Sequence, residues 1–237
     1  MVFIQGDTFE MGCDPVIDPI CSSVPAEHKH KVEISSFYID KYEVTTARYR
    51  ECVNAGNCTL PTMGGLMHYD DEGTENFPIN GVNWNQAVAF CTAEGKRLPT
   101  SAEWEFAARG TDGRIYPWGN EEPTCDLAVK DKPNAGFLGC GTGNSKDVGS
   151  VPDGASPFGV MDMAGNVWEW TSDWFDEEYY FNSPEKDPQG PATGELKITR
   201  GGDFLGRQGY EFRSTGRFPY YPTNPSPAIG FRCVKDV

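Results

Sequence analysis

Eight cysteines constrain this chain more than any other feature of its sequence. They are spread over 237 residues as Cys13, Cys21, Cys52, Cys58, Cys91, Cys125, Cys140 and Cys233. No two of them form a Cys-x-x-Cys motif and the chain has only three histidines, so the pattern argues against a zinc site. An even number of cysteines with both close and wide spacings is typical of a disulfide framework.

Three cysteine pairs lie close together in the sequence, each around a loop rich in turn residues. These pairs are Cys13 with Cys21, Cys52 with Cys58, and Cys125 with Cys140. Cys91 and Cys233 remain and would pair over a long range, although spacing alone leaves the connectivity open. Because disulfides persist in oxidising compartments, we expect a secreted, periplasmic or cell-surface protein. A cytoplasmic protein with reduced thiols is the alternative.

The charge of the chain excludes some classes of partner. A net charge of -15 argues against nucleic acid and against an anionic membrane surface, because both are bound through Lys and Arg. No stretch approaches a membrane span and no signal peptide is present, so we expect a mature domain without its export signal. The acidic composition is compatible with calcium binding, because calcium prefers oxygen ligands. We expect most of the acidic residues to serve only the solubility of the protein.

High contents of glycine and proline, 27 and 18 residues, predict a loop-rich fold with short helices. Capping residues place three helices, at 46–53 after Thr45, at 84–94 after Asn83 and at 101–108 after Thr100. Glu103 stands at the capping-box position of the third helix. Five short strands are predicted, at 2–5, 31–35, 37–39, 197–200 and 230–234. We therefore expect an α+β fold in a single domain, 1–237, with its termini paired.

Motifs in a fixed order run along nearly the whole chain. They include Phe9-Glu10-Met11-Gly12, Phe37-Tyr38-Ile39-Asp40, Glu43-Val44-Thr45, Pro78-Ile79-Asn80-Gly81-Val82, Gly95-Lys96-Arg97-Leu98-Pro99-Thr100, Ala102-Glu103-Trp104-Glu105, Tyr116-Pro117-Trp118-Gly119, Gly165-Asn166-Val167-Trp168-Glu169-Trp170, Arg200-Gly201-Gly202 and Gly230-Phe231-Arg232-Cys233. Together they resemble the formylglycine-generating enzyme, or sulfatase-modifying factor, family. The resemblance implies a C-type-lectin-like variant with a short, twisted antiparallel sheet. It also implies a disulfide between Cys91 and Cys233.

The resemblance implies a calcium site in the loop 162–169. Carried over residue by residue, the ligands are Asp162, the carbonyls of Gly165 and Val167, and Glu169. The loop supplies two acids and several carbonyls, and this is the ligand chemistry that calcium prefers. The alternative is a loop held by backbone hydrogen bonds, with Glu169 paired to an arginine. A second family calcium site would fall between Asp126 and Asp147, where a Cys125–Cys140 disulfide stands instead.

The family's copper chemistry depends on two cysteines that follow the Gly-Gly pair. The first aligns with Gly206 and the second with Glu211 or Gly209, and no cysteine lies between Cys140 and Cys233. Because Cu(I) needs soft sulfur ligands, we expect no copper. An iron site would need Asp203, Glu211 and a distant histidine. His28 and His30 fit a structural or surface role better, and His68 has no assigned place.

We expect the segment 203–221 to form a ligand surface beside the family's cleft. Aromatic and arginine side chains are enriched at recognition sites. The candidate ligand-binding residues are Trp168, Asp203, Phe204, Arg207, Tyr210, Glu211, Arg213 and Arg217. Phe212 and Phe218 are expected in the core, with most of the tryptophans.

These observations favour a non-catalytic, calcium-stabilised binding or structural domain without a catalytic residue. We expect this domain outside the cytoplasm. One version of the hypothesis makes it a component of a bacterial surface assembly, with residues 173–188 as its contact segment. The alternative function is a metal-dependent oxidoreductase with chemistry altered from that of the family.

Overall fold

Three helices begin at capped residues, as the sequence predicts. In this computed structural model, which describes residues 1–24, 27–131 and 138–237, α1 spans Thr46–Asn54, α2 Trp84–Ala93 and α3 Ser101–Arg109. The side chains of Thr45, Asn83 and Thr100 each accept a backbone N–H of the first turn. A short fourth helix, α4, spans Tyr179–Asn182 and was not predicted.

Nine short strands form three sheets in the described part of the chain. They are β1 Val2–Ile4, β2 Asp7–Met11, β3 His30–Ile34, β4 Phe37–Ile39, β5 Trp168–Trp174, β6 Lys197–Arg200, β7 Phe218–Tyr220, β8 Ile229–Gly230 and β9 Val234–Asp236. The orders are β1-β4-β9, β2-β3 and β7-β6-β5-β8. The pair β5–β8 is parallel and the other pairs are antiparallel. The short antiparallel sheet that the resemblance implies is thus present as three sheets, with one parallel pair among them.

The first and last strands belong to the same sheet without touching. β4 lies between them, because Phe37–Ile39 pairs with β1 on one edge and β9 on the other. The strand predicted at 230–234 is two strands instead, since Gly230 ends β8 and Val234 begins β9. The bend between them lets the chain leave one sheet and join another.

The core has two main parts, and both depend on large aromatic rings. One part gathers Trp104 and Phe106 of α3 with residues of β1–β4. The other gathers Trp170, Phe90 and Phe231 around α1 and α2. Trp104 and Trp170 are fully buried, whereas Trp84, Trp118 and Trp168 are half-buried. The tryptophans therefore supply much of the buried apolar area in a fold whose helices and sheets are small.

Four disulfides join all eight cysteines. The pairs are Cys13–Cys21, Cys52–Cys58, Cys91–Cys233 and Cys125–Cys140. These are the same pairs that the sequence and the family resemblance predict. The Cys91–Cys233 bond spans 142 positions and ties α2 to the residue that precedes β9. No helix of the described residues is long and apolar enough to cross a membrane.

Candidate functional site: an acid-lined turn and a buried carboxylate loop

The segment after β6 folds back on itself because two glycines follow Arg200. Gly201 and Gly202 have positive φ angles of 98° and 77°. A Cβ on Gly202 would lie 2.8 Å from the carbonyl oxygen of Glu211 and 2.9 Å from the ring of Phe212. Glycine at this position therefore allows the turn 209–212 to pack against the end of β6.

Asp203 is the first acid after the glycines, and it is buried. It is 7% exposed, and its Oδ1 accepts the N–H of Leu205 at 2.9 Å. Burial raises the pKa of Asp203 to about 7, and the neighbouring Glu211 adds to this rise. The carboxyl of Asp203 can therefore hold or release a proton near neutral pH.

Glu211 stabilises its own turn. Its Oε2 accepts the N–H groups of Arg207 at 2.8 Å and of Gln208 at 2.7 Å. The Arg207 side chain is largely exposed, and its Nε donates to Asp131 Oδ2 at 2.6 Å. Arg207 and Glu211 thus lie together, next to Gly206 and Gly209, where the family resemblance places the copper cysteines.

Besides Asp203, three residues predicted for the ligand surface are buried, and the assignments of these three are corrected. Phe204 is 0% exposed and packs with Val129 and Val151, because the chain turns inward after Asp203. Arg213 is 3% exposed, and its guanidinium donates two hydrogen bonds to Glu27, at 2.8 and 3.0 Å. Neither side chain can reach a ligand at the surface.

Arg217 is the third of these residues. It is 6% exposed, and its guanidinium carbon lies 3.8 Å from the ring centroid of Tyr180 and 5.3 Å from that of Phe175. It lines one wall of a cavity of about 430 Å³, together with residues such as Glu27 and Phe181. Asp203 and Glu211 are not among the lining residues, so this cavity lies apart from the acid-lined turn.

Exposed aromatic rings remain in the segment 203–221. Tyr210, Phe218 and Tyr221 are 44%, 45% and 51% exposed. Phe218 was expected in the core, but it lies on β7, an edge strand of its sheet, and packs on Trp168 with the ring centroids 4.7 Å apart. The ligand surface that the sequence predicted is therefore reduced to these rings with Trp168, Arg207 and the two acids.

The loop 162–169 is the second candidate site, and its backbone is tightly fixed. The N–H groups of Gly165 and Asn166 donate to Gly201 and Val129 at 2.8 and 2.9 Å. A Cβ on Gly165, whose φ is 82°, would lie 2.5 Å from the Val129 carbonyl oxygen. Only glycine allows this close approach, so the loop packs directly on the neighbouring chain.

Three buried carboxylates, of Glu43, Asp162 and Glu169, lie in or against this loop with one arginine, Arg232. Glu169 is held by the arginine, because Arg232 Nε and Nη2 donate to it at 2.7 and 2.6 Å. Trp104 Nε1 adds a third hydrogen bond at 2.9 Å. The arginine pairing that the sequence left as an alternative is thus present.

The other two carboxylates have no such counter-ion within the described ranges of the chain. Asp162 Oδ2 accepts the N–H of Gly149 at 2.6 Å, and Glu43 Oε2 accepts Asn166 Nδ2 at 3.0 Å. Burial, then the charges of Asp162 and Glu169, raises the pKa of Glu43 well above its usual range. Burial also raises the pKa of Asp162. Glu43 belongs to a quoted motif, but nothing in the sequence marked it as part of a charged site.

Comparison with known proteins identifies the family. The model of the Sulfatase-modifying factor enzyme 1-like domain matches residues 1–237. The chain belongs to this sulfatase-modifying factor family. It is 34% identical to the formylglycine-generating enzyme of Streptomyces coelicolor, over 99% of this chain and 88% of that protein.

One further relative and one solved structure extend the comparison. The inactive C-alpha-formylglycine-generating enzyme 2 of Bos taurus is 35% identical over 67% of this chain and 50% of that protein. The structure of PvdO from Pseudomonas aeruginosa superposes with a TM-score of 0.82, covering 99% of this chain and 93% of that one. Because the two sequences are only 24% identical, this similarity shows the fold alone.

Members of the sulfatase-modifying factor family bind calcium and copper, and the two metals fit this chain differently. Copper does not fit at the turn after the two glycines. Cu(I) requires thiolate or thioether ligands, all eight cysteines are in disulfides, and the last methionine of the chain is Met163. The loop 162–169 fits a hard cation, because it combines a buried acid with carbonyl oxygens. Within that loop Glu169 is the least available ligand, since Arg232 already neutralises its charge.

The iron site considered from the sequence does not assemble in the described part of the chain. His28 stacks on Phe181 and His30 packs on Tyr180, with ring centroids 4.4 and 4.6 Å apart. No set of Asp203, Glu211 and a histidine converges there to metal-binding distance. The stretch between Asp126 and Asp147 includes residues 132–137, which lie outside the described residues.

Proposed function

We propose that this member of the sulfatase-modifying factor family is a non-catalytic, calcium-stabilised binding or structural domain. The observation that carries the proposal is that every cysteine is in a disulfide and none stands between Cys140 and Cys233. Without a free thiolate the chain has no ligand for Cu(I) at the turn after the two glycines. By the family resemblance, Gly206 and either Glu211 or Gly209 stand where the family has its cysteines.

Calcium is proposed to act on stability rather than on chemistry. Its proposed ligands are Asp162, Gly165, Val167 and Glu169, in the loop that leads into β5. Fixing this loop would also fix Trp168 and Trp170, the latter fully buried. An ion that binds the folded chain alone stabilises it by mass action.

The proposed binding surface consists of the exposed rings of Tyr210, Phe218 and Tyr221 with Arg207. Aromatic side chains supply large contact area at little cost in side-chain entropy, which suits recognition. Four disulfides are consistent with an extracytoplasmic location. We propose a secreted, periplasmic or cell-surface protein. In an assembly, the segment 173–188 would add Phe181, which is more than half exposed.

A peptide assay tests the absence of catalysis. The purified protein is incubated with copper, oxygen and a peptide that contains Cys-x-Pro-x-Arg, and aldehyde is measured by mass spectrometry. The formylglycine-generating enzyme of Streptomyces coelicolor serves as the positive control. We expect the cysteine of the peptide to remain intact with this chain. Aldehyde formation at the rate of the control enzyme would refute the proposal.

The alternative function is a metal-dependent oxidoreductase with altered chemistry. The observation that favours it is the pair of acids at the turn, because Asp203 can exchange a proton near neutral pH and Glu211 lies beside it. Metal analysis of protein purified without chelator separates the two functions. A stoichiometric transition metal that is lost in the Asp203→Asn variant would support the oxidoreductase. Calcium as the one bound metal would support the binding domain.

A further inference from the structure

Glu43 lies where the loop 162–169 closes on the rest of the molecule. The N–H of Val44 donates to the Phe231 carbonyl and the N–H of Met161 to the Lys41 carbonyl, each at 2.9 Å. These two bonds fix the residues on both sides of Glu43 against the loop and against the segment that carries Arg232. The side chain of Glu43 is 1% exposed, so it points into this junction rather than into solvent.

One oxygen of Glu43 has no partner among the described residues. Oε2 accepts the amide of Asn166, but the buried Oε1 has no hydrogen bond to any of them. A buried carboxylate oxygen without a donor is costly, because water no longer solvates it. Such an oxygen is open to a positively charged ligand.

The charge count at the junction leads to the same conclusion. Glu43, Asp162 and Glu169 carry three negative charges when ionised, and Arg232 carries one positive charge. The guanidinium is committed to Glu169 by two short hydrogen bonds, so the charges of Glu43 and Asp162 remain. A divalent cation would balance these two charges.

Hydrogen bonding distinguishes the acids that could share an ion. In the part of the chain that the structure describes, the three carboxylates do not converge together on one point. One of them must therefore stand outside a common coordination sphere. Both oxygens of Glu169 accept hydrogen bonds from Arg232 or Trp104. By contrast, Oε1 of Glu43 accepts no hydrogen bond from the described residues.

We infer that Glu43 supplies a carboxylate ligand to calcium in this loop, with Asp162, and that Glu169 serves instead as the counter-ion of Arg232. This inference rests on the calcium binding that the proposed function includes. It changes the ligand set taken over from the family by adding a residue that lies about 120 positions away from the loop. The ion would thus join two distant segments of the chain rather than brace one loop.

The test compares calcium binding by parent and variants after the metal has been stripped with chelator. Calcium chloride is titrated calorimetrically, and melting curves are recorded with chelator and with calcium. For Glu43→Gln we expect the dissociation constant to rise at least about tenfold, because the site loses a charged ligand. In chelator, the same variant should melt above the parent, because glutamine removes an uncompensated buried charge and keeps an acceptor for Asn166.

Two variants serve as comparisons. Glu169→Gln leaves Arg232 buried without its counter-ion, so it should melt well below the parent in chelator while retaining a calcium-dependent rise. Glu27→Gln removes a charge from another buried arginine pair, that of Arg213, and should also leave the calcium response intact.

The outcomes separate the inference from the proposal on which it rests. If the parent binds no calcium and its melting curve ignores chelator, calcium binding itself fails. If the parent responds and Glu43→Gln binds calcium as tightly as the parent, the role of Glu43 is overturned while calcium binding survives. Loss of binding in Glu169→Gln with normal binding in Glu43→Gln would restore the ligand set of the family.

Discussion

At the scale of single residues, Asp203 is a buried carboxyl group whose ionisation opposes folding. Its pKa rises from 3.8 to about 7 in the folded protein. The folded state then keeps a proton that the unfolded chain releases, so the free energy of unfolding falls as pH increases between these values. In Asp203→Asn the amide oxygen can still accept the N–H of Leu205. We expect this variant to match the parent near about pH 4 and to exceed its stability by a few kcal/mol at about pH 8.

Urea denaturation across this pH range measures the effect. Asp153→Asn is the matched control, because it makes the same substitution at an exposed position. If the Asp203→Asn curve ran parallel to the parent curve at every pH, the group would titrate alike in the folded and unfolded states. The raised pKa would then be contradicted.

At the scale of elements, α2 depends on a reciprocal cap. The N–H of Gln86 donates to Asn83 Oδ1, and the N–H of Asn83 donates to Gln86 Oε1, each at 3.0 Å. Replacing Asn83 by alanine leaves a first-turn N–H without its acceptor. We expect Asn83→Ala to lower the free energy of unfolding by about 1 kcal/mol in chemical denaturation.

Asn85 provides the control for this prediction. It lies on the exposed face of the same helix, two residues after the cap, so Asn85→Ala changes helix propensity alone. That variant should be as stable as the parent or more stable by about 0.5 kcal/mol. Equal destabilisation by the two substitutions would show that the cap contributes nothing specific.

The elements that sequence predicts well are those with local signals. Caps such as Thr100 with Glu103, and glycines such as Gly95 and Gly110, fix the helix ends through contacts within a few residues. Strands β2, β5 and β7 were missed. The residues of β5 do not alternate cleanly, β7 has three residues with a proline at its centre, and β2 was missed although its burial alternates. Trp168–Trp174, for example, has tryptophan at positions 168, 170 and 174 but is buried on most of its length.

The same distinction explains what was found and missed at the candidate site. The loop 162–169 was located because its ligand-type residues are close together in sequence. The partners that decide its chemistry come from elsewhere, since Arg232 is 63 positions from Glu169 and Glu43 is 123 positions from Asn166. Arg213 looked like a surface cation because its buried partner, Glu27, is 186 positions away. No local pattern reports such pairs.

At the scale of the whole molecule, the C-terminal segment holds distant parts of the chain together. β9 pairs with β4, and the carbonyl of Arg97 accepts the N–H of Val234 at 2.8 Å. The Arg232 guanidinium also donates to the carbonyls of Asp40 and Met161, at 3.2 and 2.8 Å. The Cys91–Cys233 disulfide is the covalent member of this set of contacts.

Breaking that disulfide should therefore cost more than breaking a local one. In the chain-entropy model, the 142-position separation predicts a loss of about 5 kcal/mol for the double variant Cys91→Ala, Cys233→Ala. The double variant Cys52→Ala, Cys58→Ala opens a separation of only 6 and should lose about 2 kcal/mol. Chemical denaturation of both proteins beside the parent measures the difference. The buried position of Cys91 and Cys233 adds a packing loss in the same direction, so the order of the two costs is secure. Equal losses would show that β9 is held by its sheet and by Arg232 without help from the covalent bond.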